Sequence, residues 1–237
     1  LRPYTRSLDP EDYHYLHRKY SAPLRAFLNV MMSYGIPHRE WHPHRFWEYA
    51  SILQQLDELQ VPPGVQMIDI GSGGSFFPPY LVSVAGYVNL ELVDSMKYGD
   101  VTDMIAAQRA HYKIALPLHD LSVEAMPSLP SDFYDVVMCI STLEHVETDQ
   151  HDNALREIGR ITKPGGLIFI TSDYFRDRTQ YEGSTSRSLQ LTPYTKEFVL
   201  DIPQIINANF VGEADLDYRG DFVQNYSFVN ICLRKAA

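Results

Sequence analysis

The chain has 237 residues, a formal net charge of -10 from 30 acidic and 20 basic side chains, and two cysteines. That length suits one sizeable α/β domain with additions. The acidic balance argues against an extended nucleic-acid footprint, which needs clustered Lys and Arg, and favours a small-molecule partner. Cys139 and Cys232 fall within or near the end of apolar runs, so no disulfide framework is expected and a reducing compartment fits. No apolar run approaches the roughly 20 residues of a bilayer span, and the first residues lack a signal-peptide core. The expectation is a cytoplasmic protein with no membrane association.

Asp9 to about Leu59 reads as helical. Ser21 is a candidate cap for a helix through Leu24, Phe27, Leu28 and Met31, stopped by Gly35 and Pro37. A second helix is predicted over Arg45 to Leu59, with Phe46, Tyr49, Ile52, Leu53 and Leu56 at helical spacing. From Val65 the pattern alternates between short β-rich runs and helices, which signals parallel βαβ units. Strands are predicted at Gln66–Ile70, Tyr87–Leu90, Lys113–Leu118, Tyr134–Ile140 and Gly166–Thr171. Between them fall helices at Phe76–Ala85, Val101–Tyr112, with Asp100 as a cap, and Asp152–Thr162. Thr192-Pro193 starts a helix to about Asn207. Val211–Tyr218 and Tyr226–Leu233 follow as an antiparallel pair.

The most informative stretch is VQMIDIGSGGSFFPPY, Val65–Tyr80. A strand ends near Asp69 and passes into a loop with Gly71, Gly73 and Gly74 before a helix starts. Glycine is used there because the backbone turns sharply and a ligand lies against it. A nicotinamide fingerprint, G-x-G-x-x-G, would put its third glycine at position 76, which is Phe76. Two further segments carry information. DFYDVVMCI followed by STLEHV is a buried strand opening into a polar site, and REIGRITKPGGLIFI is a helix, a turn and a strand.

Together, these residues resemble the class I S-adenosylmethionine-dependent methyltransferases over roughly Val65 to Leu233. The family's acidic residue followed by G-x-G-x-G is matched by Asp69, Gly71 and Gly73, with Ser75 in place of the third glycine. The resemblance implies a Rossmann-like α/β fold, a seven-stranded, mostly parallel sheet with helices on both faces. To this is added an N-terminal helical segment, residues 1–62, acting as a lid or acceptor-binding element. Residues 63–237 are then the S-adenosylmethionine-binding domain.

On this resemblance, Asp69, Gly71, Ser72, Gly73 and Gly74 hold the donor. A carboxylate at the end of the second strand accepts bonds from two ribose hydroxyls. Glu91 and Asp94 are the candidates. Glu91 is preferred, because a strand running on to Asp94 would leave Glu91 inside a parallel ladder without an obvious partner. Asp120 is expected on the adenine amino group, with Leu121 beside the ring, or else as a cap of the next turn. Ile140, through its carbonyl, and Ser141 form the opposite wall.

Methyl transfer to a protonated nucleophile needs a base, and His145 is the candidate, with Glu144 to orient it or bind the acceptor. In the family this histidine also serves structurally, so both readings stand. No metal is expected, because no second carboxylate or histidine is spaced to complete a site at Glu144. The same holds for the His38–His44 cluster, read as a loop. Arg45 and Glu48 read as a salt-bridged surface face. The insert Ser172–Arg187 offers Tyr174, Phe175, Arg176, Arg178 and Tyr181 to an acceptor pocket or forms a surface loop.

The expected activity is S-adenosylmethionine-dependent methylation of a small-molecule O or N nucleophile, with a homodimer possible. A non-catalytic donor-binding subunit and a nicotinamide-dependent oxidoreductase or epimerase are the alternatives.

Overall fold

The computed structural model describes residues 4–9, 16–38, 45–96, 100–183, 192–222 and 226–237. In chain order, the elements begin with β1 (Thr5–Ser7), α1 (Ala22–Ser33), α2 (Arg45–Glu58), β2 (Met67–Ile70) and α3 (Phe77–Ser83). Then come β3 (Leu90–Asp94), α4 (Val101–Tyr112), β4 (Leu118–Asp120), β5 (Tyr134–Ile140) and α5 (His151–Ile161). The chain ends with β6 (Thr162–Tyr174), α6 (Arg178–Glu182), α7 (Lys196–Ile206), β7 (Ala208–Phe210), β8 (Ala214–Asp215) and β9 (Ser227–Lys235). It divides into two compact units, one of Pro10–Ser122 and one of Leu1–Asp9 with Val123–Ala237.

In the Pro10–Ser122 unit, β2, β3 and β4 form a parallel ladder in the order β4-β3-β2. Its strands read as continuous apolar runs because parallel strands are covered on both faces. Met67, Ile68, Ile70, Leu90, Leu92 and Val93 are all buried. The described helices of the N-terminal block pack within this unit. α1 buries Leu24, Phe27, Leu28 and Met31, spaced as one helical stripe. The Phe27 ring stacks on Tyr112 of α4 at 4.9 Å and meets Tyr80 of α3 edge-on at 5.5 Å. Ser21 makes no capping bond at the start of α1; its hydroxyl donates instead to the Leu16 carbonyl.

Two strands lie later than expected. β3 covers Leu90–Asp94 rather than Tyr87–Leu90, because Val88 is exposed and the ladder with β2 starts at Met67 opposite Leu90. β4 covers Leu118–Asp120 rather than Lys113–Leu118. Lys113 takes a left-handed conformation that ends α4, and only residues from Leu118 pair with β3.

In the other unit, β5 runs parallel to β6, β6 antiparallel to β9, and β9 carries both β7 and β1 antiparallel. The ladder of β6 with β9 extends from Leu167 opposite Arg234 to Tyr174 opposite Ser227. The Lys163-Pro-Gly-Gly166 turn lies inside β6, where the register with β5 shifts between Tyr134 and Val136. The expected strand Val211–Tyr218 is broken at Gly212, whose φ is +75°. Within it only Ala214–Asp215 pairs, as β8 parallel to β1, whereas the strand that joins β9, β7, ends just before it at Phe210. β1 and β8 thus extend the seven expected strands, and β1 lies ahead of the stretch from Asp9 read as helical.

α5 buries Ala154, Leu155, Ile158 and Ile161, and α7 buries Val199, Ile202 and Ile206. The two helices approach so closely at Gly159 that an added Cβ would stand 2.7 Å from the Ile206 carbonyl oxygen. Gly159→Ala is therefore expected to cost about 1–3 kcal/mol through overpacking. Gly64→Ala, where a Cβ meets nothing within 4 Å, should change stability little. Urea unfolding of the two variants checks the contrast.

Candidate active site

The loop after β2 is built on three backbone requirements. Gly71, Gly73 and Gly74 have φ of +72°, +59° and +74°, a region that side-chain-bearing residues adopt only at a cost. At Gly74 a Cβ would also meet the Met104 sulfur at 2.8 Å. The Gly71 and Ser72 amides donate to the Val93 carbonyl at 2.8 and 3.3 Å, which lays the loop across the end of β3.

Asp94 closes the arrangement. Its Oδ2 accepts from the Gly73 amide at 2.8 Å and its Oδ1 from the Met96 amide at 3.1 Å. The side chain is only 7% exposed. Asp120 stands opposite Asp94 in the ladder, itself exposed, and the Leu121 amide donates to the Asp94 carbonyl at 3.2 Å. Asp69, the glycines, Asp94, Asp120 and Leu121 therefore gather at the carboxyl ends of β2, β3 and β4. This is where open α/β sheets bind ligands.

The ground for preferring Glu91 over Asp94 does not hold in the structure. β3 does run on to Asp94, and Glu91 has the partner the sequence did not disclose: its Oε2 lies 2.7 Å from His119 Nε2. Glu91 and Asp94 sit three positions apart along the strand, so their side chains point to opposite faces.

Ser75, the departure from the family's third glycine, has two tasks. Its hydroxyl oxygen accepts from the Phe77 amide at 3.3 Å, at the start of α3. It also shares a hydrogen bond with the Tyr49 hydroxyl. The Tyr49 ring stacks on Phe77 at 4.4 Å and meets Phe76 edge-on. Burial pushes the Tyr49 hydroxyl up to about 12, so it stays protonated. Beside it on α2, Glu48 is fully buried and paired with Arg45 at 3.0 Å, so these residues are no solvated surface face.

Tyr49 and Gln108 also reach this loop, at Ser75 and Gly74, and sequence reading did not single them out. Tyr49 is indistinguishable from core by spacing. Gln108 carried a signal: it is the polar member of the stripe Val101, Met104, Ile105 and Gln108 that α4 buries.

In the second unit, Ile140 ends β5, and its carbonyl accepts from the Thr142 hydroxyl at 3.1 Å. Ser141 has a φ of +42°, and its amide donates to the Thr171 carbonyl and hydroxyl oxygens. Leu143–His145 forms one tight turn in which Glu144 is buried and His145 exposed. Nearby in sequence, His151 is buried with Nε2 3.0 Å from the Tyr194 hydroxyl. Burial lowers its imidazole to about 4. Tyr174 and Phe175 are buried in the fold, the Tyr174 hydroxyl donating to the Leu216 carbonyl, so they line no open pocket. Arg176 and Arg178 are exposed and paired with Asp177 and Glu182. Residues 39–44 and 184–187, parts of the histidine cluster and the insert, lie outside the described residues. Among the described residues no group of three His, Cys, Asp or Glu side chains could hold a metal, and no helix is long and apolar enough to cross a membrane.

Residues 68–170 match the family model described as a methyltransferase domain. A ubiquinone biosynthesis O-methyltransferase of Burkholderia thailandensis is 24% identical over 146 residues, 58% of this chain and 59% of that protein. The chain thus matches less than two thirds of that relative's length. Among solved structures, the cyclase SpnF superposes with a TM-score of 0.64 at 15% identity, covering 94% of this chain and 95% of its own. An S-adenosylmethionine-dependent methyltransferase from Clostridium acetobutylicum gives 0.61 at 10% identity over 80% and 91%. These two likenesses establish the fold; that one neighbour is a cyclase shows why the reaction must be argued from the site.

Asp69 gives the site a pH signature. Burial, and then the neighbouring Asp94 carboxylate, raise its pKa from 3.8 to about 8. A raised carboxyl pKa means that the folded state binds the proton more tightly than the unfolded one, so its contribution to stability is lost as pH rises from about 4 towards 8. Asp69→Asn should gain on the parent protein across that window, by at most about 1.4 kcal/mol per pH unit. Ligand-free melting curves at pH 4, 6 and 8 check this, with the difference growing towards pH 8.

Proposed function

We propose that this chain, whose residues 68–170 match a methyltransferase-domain family model, transfers a methyl group from S-adenosylmethionine to an O or N nucleophile of a small molecule. The observation that carries the reading is the Asp94 carboxylate, set by two backbone amides beside a glycine loop at the ends of three parallel strands. These residues fit the donor chemically. A carboxylate at that strand end can accept from two adjacent ribose hydroxyls, and a charged acceptor makes such bonds strong. The loop's backbone can approach a ligand closely because its glycines carry no side chain. With Phe76 where a pyrophosphate-binding loop places glycine, a nicotinamide cofactor fits less well.

In this proposal Asp94, rather than Glu91, holds the ribose, since Glu91 is engaged by His119. Asp120 accepts from the adenine amino group, and Leu121 packs beside the ring. Ile140 and Ser141 keep the donor-binding roles, and Glu144 and His145 the acceptor-side roles, that the family resemblance assigns them. Bound, the donor supplies a methyl group on a sulfonium, already activated by its positive charge. The protein's contribution is then largely alignment, for which effective-molarity arguments allow roughly 7–11 kcal/mol. His145, exposed on its turn, takes the proton of the acceptor nucleophile, a step worth about 10²–10⁴-fold. The net charge of -10 supports a small acceptor over a nucleic acid.

Titration calorimetry with S-adenosylmethionine and its demethylated product, S-adenosylhomocysteine, tests the donor assignment. The protein should bind both, and absence of binding up to millimolar ligand overturns the reading. Asp94→Asn should weaken product binding about 10- to 100-fold, the loss of a charged hydrogen-bond acceptor. Glu91→Gln should leave it within about twofold. His145→Ala should lower turnover by about 10²-fold or more with donor affinity unchanged; an unaltered rate makes this histidine structural.

A further inference from the structure

α4 reaches the donor loop through one side chain whose type the packing does not require. Gln108 is 1% exposed at the end of the stripe Val101, Met104, Ile105. A leucine or methionine would complete that stripe, whereas a buried primary amide costs free energy unless it is hydrogen-bonded. Gln108 Nε2 donates to the Gly74 carbonyl at 3.0 Å and to the Pro37 carbonyl at 3.3 Å. One turn earlier on the same helix, Met104 occupies the space a Gly74 Cβ would need.

The consequence for the loop is that two successive residues are tied from different elements. Gly73 is held through its amide by Asp94 and Gly74 through its carbonyl by Gln108. A left-handed glycine has no side chain to oppose rotation of its peptides, so the Gln108 bond selects one orientation. The second bond ties the same amide to the chain just after α1, where the His38 ring nitrogen Nδ1 lies 3.1 Å from the Ile36 carbonyl.

We propose that Gln108 is a positioning residue for donor binding, an amide clamp that fixes the Gly74 peptide and couples the donor loop to the Ile36–His38 segment of the helical block. The clamp touches no reacting atom; it acts through the loop. The proposal rests on the donor reading above. Its signature is a loss of donor affinity without loss of the chemical step, because only the geometry of the binding loop changes.

The test uses the full chain and S-adenosylhomocysteine as probe. Gln108→Leu, which fills the volume but cannot donate, should bind the product about tenfold more weakly. The donor KM should rise by a similar factor, with kcat at saturating donor within twofold. Product affinity within twofold of the parent overturns the clamp, as does an equal fall in kcat. If the parent protein itself binds no product, the donor reading fails first and the clamp with it. Amide hydrogen exchange on the unsubstituted protein keeps the test sharp should Gln108→Leu fold poorly. Product binding should then raise protection at Ile36 and His38 together with Gly71–Ser75, whereas protection confined to the loop overturns the coupling.

Discussion

A carboxylate whose two oxygens each accept a backbone amide holds the glycine loop against the end of a neighbouring strand. Asp94 does this with Gly73 on the loop and Met96 on its own downstream turn. The parallel ladder of β2 with β3 brings the two segments to the same edge, and the amides of Gly71 and Ser72 on the Val93 carbonyl set their spacing. Everything at the candidate site is arranged around that join. The three left-handed glycines are needed to make the approach, Ser75 and Tyr49 secure the start of α3, and Gln108 fixes the far side.

The electrostatics follow from the same geometry. Asp69 and Asp94 sit on adjacent strands, and burial of Asp69 beside a second carboxylate favours its protonated form up to about pH 8. Two full carboxylate charges in mutual repulsion are thereby avoided beside the loop. A ligand with hydroxyls to donate and a positive centre to place suits that environment. The helical block contributes from within the same unit: Tyr49 packs on Phe76 and Phe77 and meets Ser75, and Glu48, paired with the half-buried Arg45, lies buried next to it on α2.

How much of this was legible depended on whether the determinant was local. The glycine loop, β5 and α4 were readable because their patterns lie within a dozen consecutive residues. β3 and β4 were displaced because apolar letters at Tyr87, Val88, Ile114 and Leu116 continue into turns, and only the ladder decides which residues pair. The partner of Glu91, His119, lies 28 residues away, so no local pattern disclosed it. β1 was invisible for a similar reason: Arg6 and Ser7 become a strand by pairing with Asn230 and Val229 at the other end of the chain. Gln108 was visible as a polar residue on an apolar stripe, but its meaning lies in the two carbonyls that folding brings to it.

The central claim is that Asp94, organised by the Gly73 and Met96 amides, is the acid that receives the donor's ribose. A crystal structure with S-adenosylhomocysteine bound measures it directly. The account predicts the ribose hydroxyls within hydrogen-bond distance of the Asp94 carboxylate, with Glu91 still on His119. A ribose held by Glu91, or a ligand lying away from the ends of β2, β3 and β4, would contradict it.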